Sequence, residues 1–169
     1  MKFAAYMSWL SKWLASTALS QTIQTSGWLI PTLQTIHILC VATVLSSVII
    51  VDLRICGIFD RNEPLQYIAR RFLPVIWPVL LILLLTGSLL VVAEPHRSLQ
   101  NSTFILKMGL LVVAVAITAG LQASINRSSG VLDKNNFHRI AARFAACGSI
   151  LIWCGIVFAG RWIAYTEAG

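Results

Sequence analysis

Four long apolar blocks alternate along the chain with short, charged connections, and their lengths decide what kind of protein this is. The blocks cover about 28–51 (WLIPTLQTIHILCVATVLSSVIIV), 72–93, 103–123 and 140–165. A hydrocarbon core of about 30 Å takes about 20 helical residues to cross, so each block is long enough to span a membrane. Short connections between them predict antiparallel neighbours in an up-down-up-down arrangement. The expected fold class is all-α, an integral membrane four-helix bundle over 28–169, preceded by an N-terminal segment over 1–27.

Local signals sharpen the ends of these helices. Trp28 suits the membrane–water interface, and Pro31 fits a first helical turn, where its missing N–H has no intrahelical partner to lose. Pro74 and Pro78 lie near the start of the second block. Asn101 or Ser102 is available as N-cap of the third, and Trp162 and Tyr165 close the fourth at an interface. Before the first block, Phe3, Met7, Leu10, Trp13, Leu14 and Thr17 recur at helical spacing, with Trp9 nearby. Ser8, Ser11 and Lys12 interrupt any apolar run there, which argues against a signal peptide. An amphipathic helix lying in the interface is expected instead.

Composition agrees with this pattern. Of 169 residues, 57% are hydrophobic and only 11% charged, whereas soluble domains carry about 25% charged residues. The formal charge of +7 sits largely beside apolar segments, where it sets topology and meets anionic lipid rather than nucleic acid. Arg54, Arg61, Arg70 and Arg71 follow the first block, and Arg127, Lys134, Arg139 and Arg143 follow the third. Lys2, Lys12, Arg97, Lys107 and Arg161 are spread over the opposite side. The positive-inside rule then makes the two Arg-rich connections cytoplasmic and both termini periplasmic, in a bacterial inner membrane. Cys40, Cys56, Cys147 and Cys154 form no C-x-x-C pair, so neither a disulfide framework nor a zinc site is expected, and they read as small buried hydrophobes. Ser46, Ser47, Gly87, Ser88, Gly148, Gly155 and Gly160 offer positions for close helix approach, within one chain or in a homo-oligomer.

Ionisable residues inside a span are costly and therefore informative. His37 lies nine residues past Trp28, roughly 13 Å along a helix rising 1.5 Å per residue. Lys107 begins the third helix and Arg161 ends the fourth, so all three belong to the outer half of the bundle. Glu94, His96 and Arg97 lie in the connection on the same side, whereas His138 falls on the inner side. Imidazoles between membrane helices ligate metals and haem iron, and haem propionates favour nearby Arg or Lys. His37 is the candidate axial ligand, His96 or Lys107 the candidate second ligand, and Lys107 with Arg161 the partners of the propionates. The competing readings are a hydrogen bond from His37 to Gln34, Thr118 or a backbone carbonyl, a snorkelling Lys107, an interfacial Arg161 and a solvated His96. His37 and Cys40 share a face but make a weak copper signal by themselves. Asp52 and Arg54 at the inner end of the first helix are expected to pair or to cap it.

The segments WLIPTLQTIH (Trp28–His37), VDLRICG (Val51–Gly57), FILKMGLL (Phe104–Leu111) and SILIWCGIVFAGRWIAY (Ser149–Tyr165) resemble a family of small, functionally uncharacterised bacterial inner-membrane proteins. With the N-terminal helix the resemblance covers nearly the whole chain. More distantly, the layout is similar to copper-resistance-D-type membrane domains and to HemJ-type protoporphyrinogen oxidases. That likeness implies haem b, through the features that correspond here, His37 and Lys107; helix lengths and loops depart too far for the oxidase reaction to carry over.

The leading expectation is a membrane-embedded b-type haem protein near the periplasmic leaflet. It would transfer electrons, or act as a membrane oxidoreductase, with a quinone or redox protein as partner. The alternatives are a non-enzymatic scaffold or accessory subunit, and copper or small-solute transport. The transport reading needs a continuous polar path, and the inner halves of the helices look too apolar for one apart from Thr43, Ser46 and Ser47. No hydrolytic or phosphate-binding motif is present.

Overall fold

The computed structural model describes residues 2–58, 65–99, 101–127 and 136–162, with side chains described except at 2–5, 102, 126–127, 136–139 and 161–162. The helices are α1 (Lys2–Ala15), α2 (Ala18–Thr25), α3 (Leu29–Cys56), α4 (Leu65–Ala93), α5 (Pro95–Leu99), α6 (Ser102–Arg127) and α7 (Asn136–Trp162), and no strand occurs among the described residues. Four spans lie within them, Leu29–Cys56, Leu65–Ala93, Thr103–Ile125 and Ile140–Gly160, with mean hydropathies between 1.9 and 2.7. The chain is a multi-pass membrane protein with an all-α fold.

The long helices pack as two principal pairs, α3 with α4 and α6 with α7, joined mainly through α3 and α7. Each presents one narrow stripe to the interior. Val44, Val48, Val51 and Ile55 of α3 meet Ile68, Ala69, Leu73 and Ile76 of α4, Ala114 and Ile125 of α6, and Ala146, Trp153 and Ile156 of α7. The outer faces are equally apolar, with Leu84, Val112, Leu151 and Phe158 all exposed. Lipid is as apolar as leucine, so exposing these side chains to it costs nothing, and the helices are held by dispersion and close approach instead. Fully buried Ala114 and Ala146 serve that approach. A polar tie from Trp77 Nε1–H to Gln122 Oε1, at 2.8 Å, links α4 to α6.

Three boundaries depart from the sequence pattern. The N-terminal amphipathic stretch is two helices, because Thr17 takes an extended conformation and its hydroxyl accepts from the Ser20 N–H as an N-cap. The second span starts at Leu65, which puts Pro74 and Pro78 well inside α4. Each proline removes one backbone donor, freeing the carbonyls of Arg70 and Pro74 from their usual partners. The first span runs on to Cys56 and ends at Gly57, whose φ of 78° lies in the left-handed region. The Gly57 N–H donates to the Arg54 carbonyl and the Ile58 N–H to the Leu53 carbonyl, both at 3.0 Å. That pattern satisfies two carbonyls the helix end would otherwise leave bare.

Two short helices close the end of α4. The Ser20 hydroxyl donates to the Val92 carbonyl and the Gln24 amide to the Ala93 carbonyl, both at 2.8 Å. These are among the last carbonyls of α4, which have no intrahelical donor. Around them the polarity is inverted relative to a water-facing helix: Ser11 and Ser20 are fully buried, while Tyr6, Trp9, Trp13 and Leu19 point outward.

Candidate functional site

Inside the second span the apolar run is interrupted by Thr86, Gly87 and Ser88, and this break meets His37 of α3. His37 Nδ1 lies 2.9 Å from Thr86 Oγ1. The Thr86 hydroxyl in turn reaches the Ile82 carbonyl of its own helix at 2.8 Å. A hydroxyl has one proton, and with that proton on the carbonyl its oxygen is left to accept. In that arrangement the Nδ1–H tautomer of His37 donates to Thr86 and leaves the Nε2 lone pair available, whereas the Nε2–H tautomer would accept the Thr86 proton at Nδ1. The partner is neither Gln34 nor Thr118, as the sequence suggested. It lies on the neighbouring helix at the same depth, which spacing along α3 alone cannot reveal.

Gly87 makes this contact fit. A Cβ there would sit 3.3 Å from His37 Cε1, so the ring rests almost directly on the α4 backbone. Gly87→Ala is expected to stay within about 1 kcal/mol of the parent in thermal unfolding. Alanine's advantage over glycine in a helix, about 1 kcal/mol, offsets the small displacement of the ring. A much larger loss would mean that the imidazole has no room to move.

Lys107 approaches from α6. Its Nζ lies 3.4 Å from the position a Cβ would take at Gly160, so the ammonium packs against α7 where that helix lacks a side chain. Two interhelical contacts thus lie towards the same end of the bundle: the His37 imidazole of α3 on the Thr86 hydroxyl and bare Gly87 backbone of α4, and the Lys107 cation of α6 against Gly160 of α7. Arg161 follows Gly160 on α7, and its side chain lies outside the described residues, as does that of His138.

His96 is placed elsewhere. It sits on the short α5, exposed, with Nδ1 3.4 Å from the Ser11 hydroxyl of α1. It borders an open cleft of about 330 Å³ together with Gln24, Ile30, Glu94 and Arg97. Arg97 and Glu94 form an ion pair at 2.9 Å there. No group of three or more His, Cys, Asp or Glu side chains able to hold a metal ion occurs among the described residues. His37 with His96, or with Cys40 as the weak copper signal, therefore finds no third such ligand among them.

A second polar group, missed in the sequence, lies towards the end of the bundle opposite His37. Asp52 is 3% exposed and faces Ser149 of α7. Asp52 Oδ2, Ser149 Oγ, Thr118 Oγ1 and Trp153 Nε1 are buried with no hydrogen-bond partner among the described residues. α6 and α7 pair antiparallel, Lys107 beside Gly160 and Leu110 beside Gly155, which brings Thr118 close to the level of Ser149. Asp52 therefore turns into the bundle rather than simply capping α3. The signal available in the sequence was an acid one turn before the helix end, in register with the buried Val44, Val48 and Val51 stripe.

The cysteines also differ from expectation. Cys40 and Cys56 are half-buried, and Cys147 and Cys154 are exposed, so none is a buried hydrophobe.

Taken together, the fold and these sites define a four-span helical membrane protein with histidine–threonine and lysine–glycine contacts between its helices. The chain belongs to the family of unknown function DUF6644, which it matches over residues 10–166. Comparison with curated proteins and with solved structures gave no match.

Proposed function

We propose that the protein binds haem b in the outer half of its bundle and serves an electron-transfer or oxidoreductase role there. The observation that carries this reading is the His37–Thr86 hydrogen bond. A ligating histidine ordinarily donates its second ring N–H to a fixed acceptor, which sets the tautomer and aims the other nitrogen at the metal. Thr86 is such an acceptor, and Nε2 is the nitrogen it leaves for iron. The groups that would hold haem are the His37 imidazole, the Lys107 ammonium for a propionate and Arg161 at the same end of α7. His96, which lies on α5 beside Ser11, would serve as a second ligand only if α5 turned inward. Bound haem would supply one-electron chemistry, and a quinone or a redox protein is the partner class that such chemistry serves.

The wider placement belongs to the same proposal. The Arg-rich connections face the cytoplasm of a bacterial inner membrane and both termini face the periplasm. The outward Tyr6, Trp9 and Trp13 support α1 and α2 lying in the outer interface, their aromatic side towards lipid.

A second reading is favoured by the same bond: His37 and Thr86 tie α3 to α4 in a scaffold or accessory subunit that carries no cofactor. Reduced-minus-oxidised visible spectra of protein purified from a haem-replete host separate the two. Sharp haem b bands in the parent, lost in His37→Ala while the protein stays folded, are the expected result. A featureless parent spectrum, with His37→Ala changing only the thermal stability, would leave the scaffold reading standing.

A further inference from the structure

At the opposite end of the bundle from His37, the last residue of α3 meets α7. Cys56 Sγ and Cys147 Sγ lie 3.4 Å apart, brought together from positions 91 residues apart in the chain. The Cys56 thiol also points towards the Arg143 carbonyl, one turn earlier on α7, at 3.9 Å. Two sulfurs on different helices at this separation need to close by only somewhat over 1 Å to reach a disulfide length of about 2.05 Å. Cys147 is also reachable: it is exposed, on the outward stripe of α7 that includes Phe144, Leu151 and Phe158. In a multi-pass membrane protein, that stripe faces lipid.

We propose that Cys56 and Cys147 form a reversible thiol–disulfide couple that clamps α3 to α7 at the inner end of the bundle, oxidised by a lipid-soluble acceptor of the quinone class. Both S–H bonds break and one S–S bond forms. The two electrons and two protons released reduce the quinone to the hydroquinone. In the reverse direction a dithiol reductant donates the same two electrons and two protons. The couple involves neither His37 nor Lys107, so it stands apart from the haem reading. Its consequence is mechanical: the clamp fixes α3 against α7 one turn from Asp52 and its unpartnered neighbours.

The test is thiol counting on the full-length protein in lipid vesicles. Tetramethyl-1,4-benzoquinone is the oxidant, since its fully substituted ring leaves no position for thiol addition. After oxidation the protein is unfolded in detergent and labelled with a maleimide–polymer that adds one gel step per free thiol. The parent carries four cysteines and is expected to lose two steps on oxidation, as a monomer, and to regain both with dithiothreitol. Cys56→Ser and Cys147→Ser are each expected to keep every remaining step after the same treatment, whereas Cys40→Ser and Cys154→Ser still lose two. An unchanged count in the parent, a loss that survives in Cys56→Ser or Cys147→Ser, or a disulfide-linked dimer would overturn the proposal.

Discussion

Thr86→Val is expected to destabilise the bundle by about 1–3 kcal/mol, the cost of leaving the half-buried His37 nitrogen without its hydrogen-bond partner. The substitution keeps the shape of the side chain and removes only the oxygen that lies 2.9 Å from His37 Nδ1. Two effects compete in setting its size. Interhelical hydrogen bonds in membranes average only about 0.6 kcal/mol in double-mutant cycles, because the unfolded chain in lipid also finds partners. The imidazole nitrogen stranded against apolar neighbours adds a desolvation term, and that term decides in favour of the larger figure. Thermal or denaturant unfolding in one detergent checks it, with Thr86→Ser expected to recover most of the loss. In the cycle with His37→Phe, the double variant should be less destabilised than the two singles combined. Strict additivity would mean that the two groups do not interact.

Asp52→Leu carries the second large effect, in the opposite direction. Asp52 is buried at 3% exposure, and its Oδ2 has no hydrogen-bond partner among the described residues. A polar atom left unsatisfied in the interior costs about 1–3 kcal/mol, and an apolar residue of similar size removes that cost. Asp52→Leu is therefore expected to raise stability by about this amount, measured as a shift of the unfolding midpoint. A loss of stability would show that Asp52, Ser149, Thr118 and Trp153 share a partner such as a bound water. The group would then be a second polar site rather than a set of tolerated orphans.

The sequence made the spans legible because length and apolar content are sufficient to define them. It also placed His37 and Lys107 in one half of the bundle, since each end of a helix can be assigned to a side by counting. What it did not reveal were the partners. Thr86 was one polar residue in an apolar run, and nothing in α3 says which residue of α4 stands opposite His37. Helix rotation is equally hidden, because an all-round apolar helix shows no preferred face when lipid lies outside. That is why the sequence suggests that Asp52 pairs with Arg54 or caps α3, and that the cysteines are core. The break at Ser16 and Thr17 was masked by continuous helical spacing of the apolar residues, which hides a local N-cap.

The bonds from Ser20 to Val92 and from Gln24 to Ala93 join residues separated by 72 and 69 positions. Contacts of such long sequence separation form late, because the chain between them must first be ordered. The amino-terminal helices are made first, but they cannot take their final places until the second span has been delivered to the same side of the membrane. Early in synthesis this segment has only α3 to rest on, and its hydrogen-bonded seat on α4 requires the first pair of spans to be complete.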